Sequence, residues 1–482
     1  MNITSLLAIS PEIILTLSTV IILISGLYRS ISKSAWWLGC IAIIIAATFM
    51  IENHNYINTN NFSVLGGIAN DQLSLMLKLV VLTFACIILI FYGGMIRVIP
   101  NAEAIAQRSS IKTWAHGSHE FIVIILLATI GAMISISARN FLILYVALEL
   151  IALSSYVLAS YDRDKILSTE AGMKYFVLGS LASCIMIFGM SFIYGFSGSL
   201  SFYKLHNLLA NGLYSPGLLA GIAICLIGIL FKLSIAPFHF WTPDIYQGSP
   251  VISVAFFASI PKFAALCGMI NIINLAISSI SHLWSPFLIA LSIISMIIGA
   301  FGAIIQKSFK RLMGYSTVLN MGFVLLALSS SSKDGYAAAM IYQILYSVSS
   351  IGIFAILAIT SSQESEDYEI ESLAGFGLTK KLAAFAMSVF MFSLVGIPPM
   401  AGFFAKFYVI RNAIANHLYI AAVFALIISV VSAFYYINIV KVIYFTTPSE
   451  KQLRLNESSA LGFVITLCVT ITMLLPVFQH IF

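Results

Sequence analysis

Residues 217–250 read GLLAGIAICLIGILFKLSIAPFHFWTPDIYQGSP. From Gly217 to Phe231 the run is uncharged and apolar, and a membrane crossing takes about twenty such residues. Lys232, Pro237 and Pro243 then interrupt it. Proline removes a backbone donor and clashes with the preceding helical turn. Inside hydrocarbon such a break survives only where protein or water meets the freed backbone groups. The stretch therefore predicts a crossing helix that is broken next to a charge. Residues 393–409, SLVGIPPMAGFFAKFYV, repeat this build with Gly396, Pro398, Pro399 and Gly402 ahead of Lys406.

The rest of the chain agrees with a membrane reading. Of 482 residues, 60% are hydrophobic and 9% charged, against about 25% charged in a soluble domain. A soluble fold of this composition would expose far more apolar surface than monomers tolerate. Crossing segments are expected to begin near Pro11, Trp36, Asp71, His119, Phe141, Ala171, Gly217, Val251, Ser285, Leu312, Ala337, Leu382, Leu418 and Leu461. The expected fold class is an all-α integral membrane protein of about 14 transmembrane helices, with two inverted five-helix repeats and two broken helices. The repeat reading comes from the spacing of the breaks. Counted from His119 and Ser285, they fall 118 residues (Pro237) and 113 residues (Pro398) into their units. Broken helices at matching places in two halves mark inverted-repeat transporters. The corresponding segmentation is 1–118 for helices one to three, 119–284 and 285–446 for the two units, and 447–482 for a last helix. The first apolar stretch lacks a basic region ahead of it, so it reads as a retained span and not a cleaved signal.

Basic residues give the orientation. Outside the spans, Arg29, Lys33, Arg97, Arg108, Lys112, Arg163, Lys165, Lys307, Lys310, Arg311, Lys380, Lys381, Lys441, Lys451 and Arg454 fall on one face. Arg139, Lys204, Lys333 and Arg411 fall on the other. The bias puts both termini outside, so the net charge of +6 is a topology signal and does not point to nucleic acid. The acidic run Glu364–Glu371 reads as a solvated inside loop, with a docking surface for another subunit as the sharper alternative.

Cys40, Cys86, Cys184, Cys225, Cys267 and Cys468 each stand alone in an apolar run, without the paired spacing of a cluster or zinc site. Seven histidines, 54, 116, 119, 206, 282, 417 and 480, lie in loops or at span ends, and only His239 sits in an unusual stretch. No nucleotide-binding or nucleophile motif is visible.

What stands out is charge inside the spans. An ionised side chain at the bilayer centre costs about 2.5–3.5 kcal/mol on insertion scales. Glu149 lies midway along NFLILYVALELIALSSYVL (140–158). Lys174, Lys232, Lys262 and Lys406 lie in four other spans, and Lys78 is expected to snorkel to an interface. Ion pairing is the bland explanation, and Glu170 is one turn from Lys174. Four lysines cannot all pair with one deep carboxylate, however, and a buried amine without a counter-charge gives up its proton more readily. A row of such groups suits a proton path.

At these residues the chain resembles the antiporter-like subunits of respiratory complex I, and among them the N-type chain of NADH–quinone oxidoreductase. The carriers are LYVALELIALSSYVLAS (144–160), STEAGMKYFVLGS (168–180), residues 231–250, YSTVLNMGF (315–323) and residues 393–409. The STEAGMKYF run, a lysine at 406 and the lack of a long lateral helix favour the N-type chain over its larger relatives. The resemblance implies a subunit of a proton-translocating enzyme, in a bacterial inner membrane or alternatively a mitochondrial one. It implies no redox centre in this chain. NADH, FMN, iron–sulfur clusters and quinone are then expected on partner subunits, and the partners are other membrane subunits, the lipid bilayer and protons. Glu149 becomes the carboxylate that tunes Lys174 or Lys232. Lys262 becomes the central relay, Lys406 the terminal exchange site, and His239 a point on the connecting axis. A multi-subunit cation/proton antiporter shares this helix grammar and is the alternative; a purely structural membrane subunit is a third reading.

Overall fold

A computed structural model describes residues 9–26, 35–52, 63–64, 67–98, 118–360, 368–447 and 458–474. Arg29, Lys33, Arg108, Lys112, Lys451, Arg454, His54, His116, His480, residues 364–367 of the acidic run and the side chain of Arg97 lie outside the described residues. Among those described, ten helices are long and apolar enough to cross a membrane, and four shorter apolar helices stand beside them. Together they occupy the fourteen places marked in the sequence.

In chain order the helices are α1 (Ser10–Ser25), α2 (Ala35–Glu52), α3 (Gln72–Val98), α4 (Ser118–Ser137), α5 (Phe141–Ala159), α6 (Ile166–Ser197), α7 (Phe202–Ala210) and α8 (Pro216–Lys232). They continue as α9 (Trp241–Gly248), α10 (Val251–Ala258), α11 (Ile260–Leu275), α12 (Ser281–Ile304), α13 (Phe309–Ser329) and α14 (Lys333–Thr360). The last are α15 (Phe376–Thr379), α16 (Lys381–Val395), α17 (Ala401–Ala415), α18 (Tyr419–Phe445) and α19 (Ser459–Leu474). Among the described residues, the only sheet is a two-stranded antiparallel pairing of Ser63–Val64 with Ile68–Ala69.

Both expected breaks are present. The seventh crossing stops at Lys232 and resumes at Trp241; the twelfth stops at Val395 and resumes at Ala401. Ser234 (φ 61°) and Gly396 (φ 89°) turn the chain left-handed just past each stop. That conformation suits glycine but not serine, and the Ser234 hydroxyl is fixed by a 2.7 Å bond from Thr242 Oγ1. The sequence reading did not anticipate a third, smaller interruption at Ser259, between α10 and α11. It also missed α7, whose Phe202, Leu205 and Leu209 form one buried stripe. The sixth crossing begins at Ile166 instead of Ala171 and spans 32 residues. At 1.5 Å per residue it is about 48 Å long, which exceeds the roughly 30 Å of hydrocarbon.

The chain forms two compact units: residues 1–233 with 260–281, and residues 234–259 with 282–482. In the first unit α6 and α8 pack most closely. A Cβ on Gly189 would lie 2.4 Å from the Cys225 amide nitrogen, and one on Gly221 would lie 3.0 Å from the Gly189 carbonyl. Small residues that let backbones touch are the usual device of membrane helix pairs. The loop before α3 is tied to the loop before α5: Arg139 Nη2 donates to Asp71 Oδ2 at 2.9 Å, and Arg139 N donates to Gly67 O at 2.8 Å. Burial pushes the Asp71 carboxyl up, but Arg139 and the Ser74 amide outweigh it and hold the group below its ordinary value. In the second unit α14 is the central, almost fully buried helix, with α10, α13, α17 and α19 around it.

Candidate proton-transfer site

Glu149 and Lys232 meet in the first unit. Asn140 starts α5, its Oδ1 accepting from the Leu142 amide at 2.8 Å, and Glu149 follows between two and three turns later. Lys232 is the last residue of α8. Its Nζ donates to Glu149 Oε1 at 3.0 Å and lies 3.5 Å from Leu148 O. The Ser183 hydroxyl of α6 donates to the same Glu149 oxygen, so three helices converge on one carboxylate. Removing that donor weakens but does not break the pair. Ser183→Ala is expected to slow proton transfer about fivefold with assembly intact, since one hydrogen bond is worth about 1 kcal/mol. Stopped-flow vesicle acidification measures it, and an unchanged rate contradicts it.

Lys174 lies on α6 and pairs at 2.7 Å with Glu170, four residues earlier on the same helix, the two side chains 45% and 50% exposed. Lys262 is the third residue of α11, directly after Pro261 and the interruption at Ser259, and is 1% exposed. Its helix is tied to α4 by Ser135 Oγ on Ala264 O (3.1 Å) and Asn271 Nδ2 on Ile136 O (2.9 Å). In the second unit His239 is buried, with its ring centroid 4.7 Å from that of Phe240 and 6.4 Å from that of Tyr315. The freed backbone at this break is met by a side chain, because Ala236 N–H donates to Ser295 Oγ at 2.9 Å.

Lys406 serves the second break in a similar way. Its ammonium donates to Val395 O at 2.9 Å, a carbonyl exposed by the end of α16, and to Ser429 Oγ at 3.0 Å. It also lies 5.3 Å from the Phe323 ring centroid. A cation at the carbonyl end of a helix is favourably placed. Beside it is a cavity of about 20 Å³ lined by Asn320, Tyr342, Tyr346, Ser349, Ser393 and Lys406, above the roughly 10–15 Å³ one water needs. A hydroxyl network runs from this lining: Tyr342 OH donates to Asn320 Oδ1 (2.8 Å), Thr317 meets Tyr346 OH (2.6 Å) and Ser316 meets Tyr436 OH (2.5 Å).

Sequence reasoning missed Ser183, Ser429, this network and one further ion pair. Lys78, expected to snorkel, is instead 1% exposed and donates to Glu12 and Asn70. The available signal was the spacing of Ser316, Thr317 and Asn320, which puts all three near one helix face.

A family model described as NADH:quinone oxidoreductase/Mrp antiporter, TM, matches residues 138–432. The chain belongs to this family. Among its relatives, NADH-quinone oxidoreductase subunit N of Rickettsia bellii (strain RML369-C) is 39% identical over 445 residues, covering 90% of this chain and 92% of the relative. The subunit N of Paramagnetospirillum magneticum (strain ATCC 700264 / AMB-1) is 42% identical over 369 residues, 75% of each. A chain of respiratory complex I from Thermus thermophilus with bound Aureothin superposes with a TM-score of 0.78 at 27% identity, over 96% of this chain and 97% of that one. The Mrp complex from Dietzia sp. DQ12-45-1b gives 0.81 at 17% identity, over 100% and 96%, a likeness of fold alone. The matched region contains Glu149, Lys174, Lys232, His239, Lys262 and Lys406 and begins beyond the first four helices.

Proposed function

We propose that the chain is the N-type membrane subunit of a bacterial NADH–quinone oxidoreductase and that it moves protons through Glu149, Lys232, Lys262 and Lys406, with His239 and Lys174 flanking that route. It sits in the inner membrane among other membrane subunits. Electron transfer from NADH to quinone, with FMN and iron–sulfur clusters, belongs to partner subunits, and no redox group is assigned to this chain. The two inverted units are 119–284 and 285–446, between helices one to three (1–118) and a last helix (447–482).

The observation that carries the relay is the Glu149–Lys232 pair, 3.0 Å apart at the end of a broken helix. While the carboxylate stays close, the ammonium keeps its proton; when the two separate, the amine loses its counter-charge and releases it. Moving one charge against 100 mV costs about 2.3 kcal/mol, equivalent to about a fiftyfold change in proton affinity. Gain or loss of one charged neighbour supplies a change of that size. Lys406, with a carbonyl, a hydroxyl and a water-sized cavity around its ammonium, is the exchange point of the second unit.

Membership of the enzyme is tested by extracting native membranes in mild detergent and separating them on a non-denaturing gel. Co-migration of this chain with NADH dehydrogenase activity at high mass is expected. Migration in a small assembly without that activity, with sodium–proton exchange in vesicles, would instead support the antiporter alternative.

A further inference from the structure

Four helices stand ahead of the matched family region, and they contain a buried ion pair of their own. Lys78 Nζ on α3 donates at 2.6 Å to Glu12 Oε1 on α1 and at 2.6 Å to Asn70 Oδ1. Lys78 is 1% exposed and Glu12 and Asn70 are each 5% exposed. The second carboxylate oxygen, Glu12 Oε2, is buried and has no hydrogen-bond partner among the described residues. A buried ionised carboxylate with one idle oxygen is costly, so that oxygen is where a proton or a water would settle.

The cluster also has an outlet and a neighbour. Asn70 precedes Asp71, which is half-exposed and paired with Arg139 at the start of α5's connection. Lys78 lies seven residues beyond Asp71, about 10 Å along the helix, on the face that the basic-residue bias assigns to the outside. In the other direction α3 packs on α11, where Phe84 meets Phe263 edge-on at 6.0 Å, and Phe263 adjoins Lys262. The other titratable groups on α3 and on the helices packed against α1 and α3 include Glu52 at the exposed end of α2, His119 and Glu120 in the first turn of α4, Cys40 of α2, Cys86 and Tyr92 of α3, and Cys267 of α11.

We propose that Glu12, Lys78 and Asn70 form an additional proton-exchange site, placed between the outer face and Lys262. One N–H bond of the Lys78 ammonium breaks as its proton bonds to a water, giving hydronium, and Glu12 Oε2 takes its proton from a second hydronium, which leaves as water. The proposal rests on the relay reading above, and its test separates the two. Lys78→Arg keeps a cation for Glu12 but removes the exchange, because arginine stays protonated. It is compared with Lys232→Arg in the intact enzyme in proteoliposomes.

Both variants are expected to assemble and to lose proton translocation by at least about a hundredfold, the low end for a positioned proton-transfer group. Loss in Lys232→Arg with normal translocation in Lys78→Arg overturns this site and leaves the relay standing. Normal translocation in both overturns both. If Lys78→Arg fails to assemble, the double variant Glu12→Gln/Lys78→Met, which buries no unpaired charge, takes its place. Lost pumping in the assembled double variant supports the site, and normal pumping overturns it as a purely structural pair.

Discussion

Lys406→Ala is expected to leave the enzyme assembled and to cut proton translocation by at least about a hundredfold, as for a positioned proton-transfer group. Two opposing terms predict assembly. The substitution strands the Val395 carbonyl, which Lys406 reaches at 2.9 Å, and an orphaned buried acceptor costs about 1–3 kcal/mol. It also removes a charge whose insertion costs about 2.5–3.5 kcal/mol. The two are of the same size, so the fold keeps its stability while the exchange group is gone. Native-gel abundance and vesicle acidification read the two halves of this prediction separately. Loss of the assembled enzyme together with pumping would make Lys406 a structural residue instead.

Gly402→Val should have the opposite signature, abolishing assembly. Gly402 starts the second half of the broken twelfth helix, and a Cβ there would stand 1.8 Å from the Ser393 carbonyl oxygen and 2.6 Å from its carbon. Its amide donates to Ser393 Oγ at 3.1 Å, so α16 and α17 meet backbone to backbone at this point. No side-chain rotation relieves a clash with a carbonyl, and overpacking of ordinary cores already costs about 1–3 kcal/mol. The expected result is less than about a tenth of normal assembled enzyme, because a backbone clash this close costs far more than ordinary overpacking and draws on a native stability of only about 5–15 kcal/mol. Normal assembly of Gly402→Val would mean that the two half-helices do not close as described.

The crossings and the two main breaks were legible because hydropathy and proline act locally. Proline removes a backbone donor wherever it stands, and a run such as 217–231 has few alternatives to a crossing. The pairing of charges was not legible. Glu149 and Lys232 are 83 residues apart, and the resemblance left either Lys174 or Lys232 as the carboxylate's partner. Lys78 illustrates the same limit: Glu12 stands in a first helical turn, where an acid favours the helix dipole, and nothing local announces that it faces a residue 66 positions away. Ser183 and Ser429 resemble any other small residue in an apolar helix until the fold brings them to a charge. The interruption at Ser259 escaped notice although Pro261, favoured in a first helical turn, marks the restart at Ile260.

The most direct test of the central claim is the proton-to-electron ratio of the intact enzyme carrying Lys232→Arg, measured in proteoliposomes with NADH and quinone. Arginine preserves the ion pair with Glu149 and the packing of three helices around it, but it cannot release its proton on the time scale of turnover. The expected result is an assembled enzyme whose proton translocation through this chain is lost. A normal ratio would contradict it, because a route through Lys232 cannot run on a residue that never gives its proton up.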